Sequence, residues 1–114
     1  MSENDDCIFC RIIAGEIPSE KVMEDDRFIA IRDAFPKAPV HVLVMPKQHI
    51  PSLNEISQLT PESCLGMLEF IVAVAVKLEV ADSGYRVITN IGKGGGQEVM
   101  HLHWHLIAGK SLGF

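Results

Sequence analysis

Positive charge is in short supply. Ten lysines and arginines stand against fifteen aspartates and glutamates, a formal charge of −5 at pH 7. A duplex-DNA binder needs a basic surface to displace counterions from phosphates, so that class is disfavoured and no nucleic-acid partner is expected. A local phosphate site survives the argument, because a few amides and imidazoles suffice for it. Long uncharged apolar runs are missing as well. The most apolar stretch, Cys64 to Ala81, carries Glu69, Lys77 and Glu79, which is incompatible with a membrane span. The first six residues, Met1-Ser2-Glu3-Asn4-Asp5-Asp6, have neither a basic nor an apolar segment, so no secretory signal is expected. Cysteine is scarce and odd in number, at three. That argues against a disulfide framework and predicts a reduced, cytoplasmic protein. No internal repeat or low-complexity segment occurs.

What remains is an ordinary globular composition, 47% apolar and 22% charged over 114 residues. We read it as a single domain, 1–114, with 1–6 expected to be a flexible N-terminus. A chain of this size gains from burying further apolar surface in a symmetric dimer.

Local signals order the elements. Ile8 to Ala14 reads as a short helix stopped by Gly15 and Pro18. Lys21 to Glu24 and Arg27 to Arg32 read as a hairpin about Asp25-Asp26. Val40 to Met45 is β-branched-rich and stopped by Pro46, as a central strand would be, and it bears His41. A helical turn is expected around Leu53 to Ile56. Thr60-Pro61-Glu62 supplies a cap, a proline at the first helical position and an acid in the first turn. This helix is expected to run to about Val80, and its apolar residues cover more than one stripe, so two faces should be buried, one of them available to a second copy. Tyr85 to Asn90 reads as another strand, followed by a loop with glycines at 92, 94, 95 and 96, whose amides can converge on an anion. The fold class is α+β: an antiparallel sheet of about five strands, one long helix and a short N-terminal helix.

The chemistry concentrates in Met100-His101-Leu102-His103-Trp104-His105-Leu106-Ile107. Its strict alternation is the period of a strand, placing the three histidines on one face and Leu102, Trp104 and Leu106 in a core behind it. Alternate residues on a strand sit ~6.6 Å apart, so neighbouring jobs suit the three imidazoles better than one shared metal. A neutral imidazole with one nitrogen tied to a carbonyl presents the other as a nucleophile. Beside a glycine-rich anion cradle, the electrophile for His103 is phosphorus. Taken singly, each of these residues has a plainer reading: Asp33 as a turn residue before Pro36, Cys64 as a core hydrophobe, Cys7 and Cys10 as buried thiols or a redox pair. A metal oxygenase is disfavoured, since no acid follows the histidines at a suitable spacing.

The combination resembles the histidine triad nucleotide-binding proteins. It comprises His101 to Ile107, Gly94-Gly95-Gly96-Gln97, Asp33, Ala38-Pro39-Val40-His41 and Met45-Pro46-Lys47-Gln48-His49, and spans nearly the whole chain. The bacterial, nucleoside phosphoramidase-like branch is the most similar. The resemblance implies that His103 is the nucleophile, forming a nucleotidyl-histidine intermediate, with His105 and His41 contacting phosphate and orienting it. It implies that Asn90, Gly96 and Gln97 belong to the phosphate site and that Asp33 binds ribose. Glu98 stands at a nucleotide-site position where that branch often has serine. It further implies a purine nucleotide substrate, a homodimer through the long helix, and structural Zn2+ on Cys7, Cys10, His49 and His101 in a closed Cys2His2 set. The alternatives carried alongside phosphoramidate hydrolysis are dinucleoside polyphosphate hydrolysis or nucleotidyl transfer, and non-catalytic nucleotide binding.

Overall fold

Val40–Pro46 (β3) is the strand against which the others are laid, buried along almost its whole length. In the computed structural model, which describes residues 7–110, β3 is preceded by a short helix α1 (Ile8–Ile13) and the hairpin β1 (Lys21–Glu24) and β2 (Phe28–Arg32). It is followed by a 3-10 segment (Leu53–Gln58), the long helix α2 (Pro61–Lys77), β4 (Arg86–Ile88), a 3-10 turn (Lys93–Gly95) and β5 (Trp104–Ala108). The five strands form one antiparallel sheet in the order β1-β2-β3-β5-β4. The expected flexible segment 1–6 lies outside the described residues.

The local causes are visible. Asp25 Oδ1 accepts the amides of Arg27 and Phe28 at 2.8 and 2.7 Å, closing the β1–β2 turn. Thr60 caps α2 through the Ser63 amide at 3.0 Å. Gly15 follows α1 at φ +83°, the left-handed conformation that ends a helix cheaply only with glycine.

Both faces of the sheet are covered. On one, α2 sends Met67, Phe70, Ile71, Val74 and Ala75 against Phe28, Ala30, Val42, Val44 and Leu106. On the other, Phe9 and Ile12 of α1 pack on Ile29, Ile31, Leu43 and Met45. The second face is only partly roofed, because α1 has six residues; at its edge His41 and His103 are buried and His105 is half-buried.

Four expectations differ from the structure. The strand expected over Tyr85 to Asn90 spans only Arg86–Ile88, the length over which it pairs with β5. The helix ends at Lys77 rather than near Val80, since Glu79 takes φ +60°. Within one chain α2 buries a single face: Leu65, Leu68, Val72 and Val76 remain 51–60% exposed. The histidine run is not one strand, because β5 begins only at Trp104. The ladder pairs Trp104 with Val44 and goes no further, since two residues on, β3 reaches Pro46, which has no N–H to give. The segment ahead of β5 turns aside, and the Leu102 amide bonds the Ile50 carbonyl at 2.8 Å. Leu102, Trp104 and Leu106 still pack toward the α2 core, as the alternation required.

Candidate active site and metal cluster

His41 and His105 project from adjacent strands onto the α1 face. In the ladder Leu43 stands opposite His105 and His41 opposite Ile107, so the two histidines are diagonal neighbours, a separation that long side chains bridge. His41 Nε2 and His105 Nδ1 lie 2.9 Å apart. The backbone decides the tautomers. Lys37 N–H donates to His41 Nδ1 at 2.9 Å, which puts the proton of a neutral His41 on Nε2 and directs it at His105 Nδ1. A neutral His105 then carries its own proton on Nε2. Asp33 Oδ2 is 3.4 Å from His41 Nε2, while Asp33 Oδ1 accepts the Phe35 amide at 2.8 Å.

His103 is held the other way round. Its Nδ1 lies 2.7 Å from the His101 carbonyl, a contact that needs the proton on Nδ1 and leaves the lone pair on Nε2. The ring stands edge-on to Phe9, centroids 4.9 Å apart. Burial pushes the pKa of His103, and of His105, below the ordinary imidazole value, so both are neutral at pH 7. The Asp33 and Glu98 carboxylates act in the opposite sense on both rings, favouring any positive charge that develops there.

The three histidines line an open cleft of ≈ 1180 Å³, somewhat above the roughly 300–1,000 Å³ range of small-molecule sites. An apolar wall comes from Phe9, Ile12, Ile17, Ile31 and Leu43, and the β4–β5 loop adds Asn90, Gly96 and Glu98 to the lining. The apolar wall went unread in the sequence, because nothing in the pattern of α1 distinguishes a cleft wall from ordinary core. Asp33 lies within the same lining. Gln97 does not: its side chain donates to the Pro51 and Val99 carbonyls at 2.6 and 2.9 Å and accepts the Gly92 amide at 2.8 Å. Nor does the glycine loop offer a row of free amides. Those of Gly95, Gly96 and Gln97 donate to carbonyls within the loop, at 3.0–3.1 Å, because it folds as a tight 3-10 turn that consumes its own donors.

Two groups of metal-ligating type occur among the described residues: Cys7, Cys10, His49 and His101; and Asp33, His41 and His105. Hydrogen bonding separates them. His101, fully buried, gives its Nε2 proton to the Pro46 carbonyl at 2.7 Å, so Nδ1 is a lone pair aimed at the cysteines, 3.4 Å from each Sγ. His49 Nδ1 lies 3.2 Å from His101 Nδ1 and 3.3 Å from Cys10 Sγ. A tetrahedral ion with Zn–N near 2.05 Å and Zn–S near 2.3 Å sets N···N at about 3.4 Å and N···S at about 3.6 Å. The donor set fits such an ion, and the Pro46 carbonyl is the outer partner that fixes a ligating histidine. Burial, chiefly, lowers the His101 pKa to about 4, which keeps that lone pair free. The second group brings a carboxylate to two histidines, a juxtaposition the linear spacing concealed. It fits a metal poorly, because the Lys37 amide already occupies the His41 Nδ1 lone pair and leaves Nε2 protonated.

The chain belongs to the HIT family: the HIT domain model matches residues 14–112. It is 49% identical over 102 residues to an uncharacterized HIT-like protein of Helicobacter pylori, covering 90% of this chain and 95% of the relative. It is 40% identical over 109 residues to the purine nucleoside phosphoramidase of Escherichia coli, covering 96% and 92%. Among solved structures, a HIT family hydrolase from Clostridium thermocellum superposes with a TM-score of 0.90 at 45% identity, over 99% of this chain and 96% of that one. A histidine triad protein from Clostridium difficile gives 0.89 at 45% identity, over 100% and 98%.

The cysteine cluster makes a spectroscopic prediction. Cobalt(II) added to metal-free protein is expected to give the intense visible bands of a tetrahedral thiolate site, abolished in Cys10→Ser; weak, octahedral-type absorption would contradict the reading.

Proposed function

We propose that the protein hydrolyses the P–N bond of purine nucleoside 5'-phosphoramidates, such as adenosine phosphoramidate or aminoacyl conjugates of that kind, through a nucleotidyl intermediate on His103. The observation that carries this reading is the His103 ring itself: neutral, its Nδ1 proton committed to the His101 carbonyl and its Nε2 lone pair left for the cleft. The name of the Escherichia coli relative supports the substrate class, and the apolar wall with Asp33 beside it suits a base and a ribose.

The steps follow from the tautomers. His103 Nε2 attacks phosphorus; the N–P bond forms, the bond to the amine breaks, and the departing nitrogen takes the electron pair and a proton from solvent in the open cleft. His105 Nε2–H, held outward by the His41 relay, donates to a phosphoryl oxygen and stabilises the charge that gathers there. Asp33 and Glu98 favour the cationic ring of the intermediate. Water then attacks phosphorus, the bond pair returns to His103 Nε2, the water's proton leaves to solvent, and the nucleoside monophosphate departs. His103→Ala is expected to lower kcat by at least about 10³-fold while nucleotide binding survives. Rapid acid quench of the native protein should show nucleotide on His103; full turnover by the variant would exclude it as nucleophile.

Zn2+ on Cys7, Cys10, His49 and His101 is the structural part of the proposal. When bound, it ties α1 to the segment carrying His103 and takes no part in bond making. Its thiolate ligands fit the reducing cytoplasm.

A homodimer through α2 completes it. The exposed Leu65, Leu68, Val72 and Val76 recur at helical spacing on the face turned away from the core, an apolar stripe that a second copy would cover. Val72→Glu is expected to convert a dimer to monomer in sedimentation equilibrium; a wild-type protein that sediments as a monomer at tens of micromolar would overturn this part.

A further inference from the structure

Three carboxylates line the cleft, those of Glu20, Asp33 and Glu98. Two are accounted for. Glu20 is paired with Arg32, and Asp33 accepts the Phe35 amide and faces His41. Glu98 alone of the three has neither an ion pair nor a side-chain hydrogen bond among the described residues.

Its place is nonetheless built. The residue before it, Gln97, is buried and pinned by three side-chain hydrogen bonds. The residue after it, Val99, gives its carbonyl to both the Gln97 side chain and the His101 amide, at 2.9 Å each. Such anchoring on both sides leaves the Glu98 backbone little freedom, and the carboxylate is kept at the polar rim. That rim is carried by the β4–β5 loop, which lines the cleft through Asn90, Gly96 and Glu98, whereas Asp33 follows β2. Asp33 and the wall take the nucleoside in the reading above, so the group attached through nitrogen to phosphorus falls on the Glu98 side. An anion held next to a phosphate site opposes substrate binding unless the substrate brings a counter-charge.

We propose that Glu98 selects substrates whose leaving group carries an ammonium, and disfavours those whose leaving group is an anion such as a phosphate. The inference deepens the phosphoramidase reading and rests on it. The cationic amine meets the carboxylate while phosphorus meets His103, and a nucleoside polyphosphate, with an anionic leaving group, meets repulsion at the same point. The interaction is solvent-exposed, so its expected size is about fivefold in kcat/KM at low salt, shrinking as salt screens it.

The test uses three adenosine 5'-phosphoramidates that differ only in the tail of the amine: 2-aminoethyl, propyl and 2-carboxyethyl. Steady-state kinetics of the wild-type protein, Glu98→Gln and Glu98→Lys are measured at low ionic strength and in 1 M salt. In Glu98→Gln the aminoethyl-to-propyl ratio of kcat/KM should fall about fivefold and the carboxyethyl-to-propyl ratio should rise. In Glu98→Lys the ranking of the aminoethyl and carboxyethyl compounds should reverse, and salt should flatten every ratio. Comparing ratios within each variant removes any general loss of activity. If the wild-type protein cleaves the propyl compound but the ratios stay within twofold across variants, Glu98 is a solvated surface acid and this inference fails while the phosphoramidase reading stands. If the wild-type protein cleaves none of the three, that reading fails and this inference with it.

Discussion

The 2.7 Å hydrogen bond from His103 Nδ1 to the His101 carbonyl is the contact on which the site depends. It settles which nitrogen of a neutral ring is free, and the position of that carbonyl is set by everything around residue 101. The His101 side chain is bonded to the Pro46 carbonyl and directed at two cysteines and His49. Its amide is bonded to Val99, and Leu102 is bonded to Ile50. One proline at the end of a central strand therefore does two things: it stops the ladder, and it offers a carbonyl that orients the neighbouring histidine. A bond in so dry a setting is worth more than one in water, and breaking it would strand a buried donor.

The histidines divide into pairs by what the backbone gives them. His101 and His103 both donate to carbonyls, so each presents a bare nitrogen, one toward thiols and one toward the cleft. His41 accepts an amide, so it presents a proton, and through it His105 does the same. A bare ring nitrogen and an outward ring N–H thus arise from one side-chain type through hydrogen bonding alone. The same bookkeeping explains why the Cys7 cluster suits a metal ion while the Asp33 group, equally compact, does not.

Much of this could be read in the chain. The hairpin turn at Asp25, the proline-capped start of α2 and the buried strand at Val40 carry strong local signals, and the alternation from Leu102 to Leu106 assigned core and cleft faces correctly. The resemblance to histidine triad proteins brought together His41, His103 and His105, which the structure gathers on one cleft, and the four residues of the cysteine cluster. The failures have a common cause, that periodicity says which way a side chain points but not what its neighbours offer. It could not show that β5 starts only at Trp104, because that depends on a proline across the ladder. It could not show that the glycine loop spends its own amides, or that Gln97 braces the loop from within. Nor could it find the apolar wall from Phe9 to Leu43, which is assembled from α1, the loop after it and two strands.

The protonation pattern of the three imidazoles that line the cleft is open to direct measurement by long-range proton–nitrogen correlation NMR on histidine-labelled protein at pH 7. The expected pattern is a neutral His103 with its proton on Nδ1, a neutral His105 with its proton on Nε2, and a His41 whose Nδ1, occupied by the Lys37 amide, carries no proton. A His103 protonated on Nε2, or charged at that pH, would contradict it.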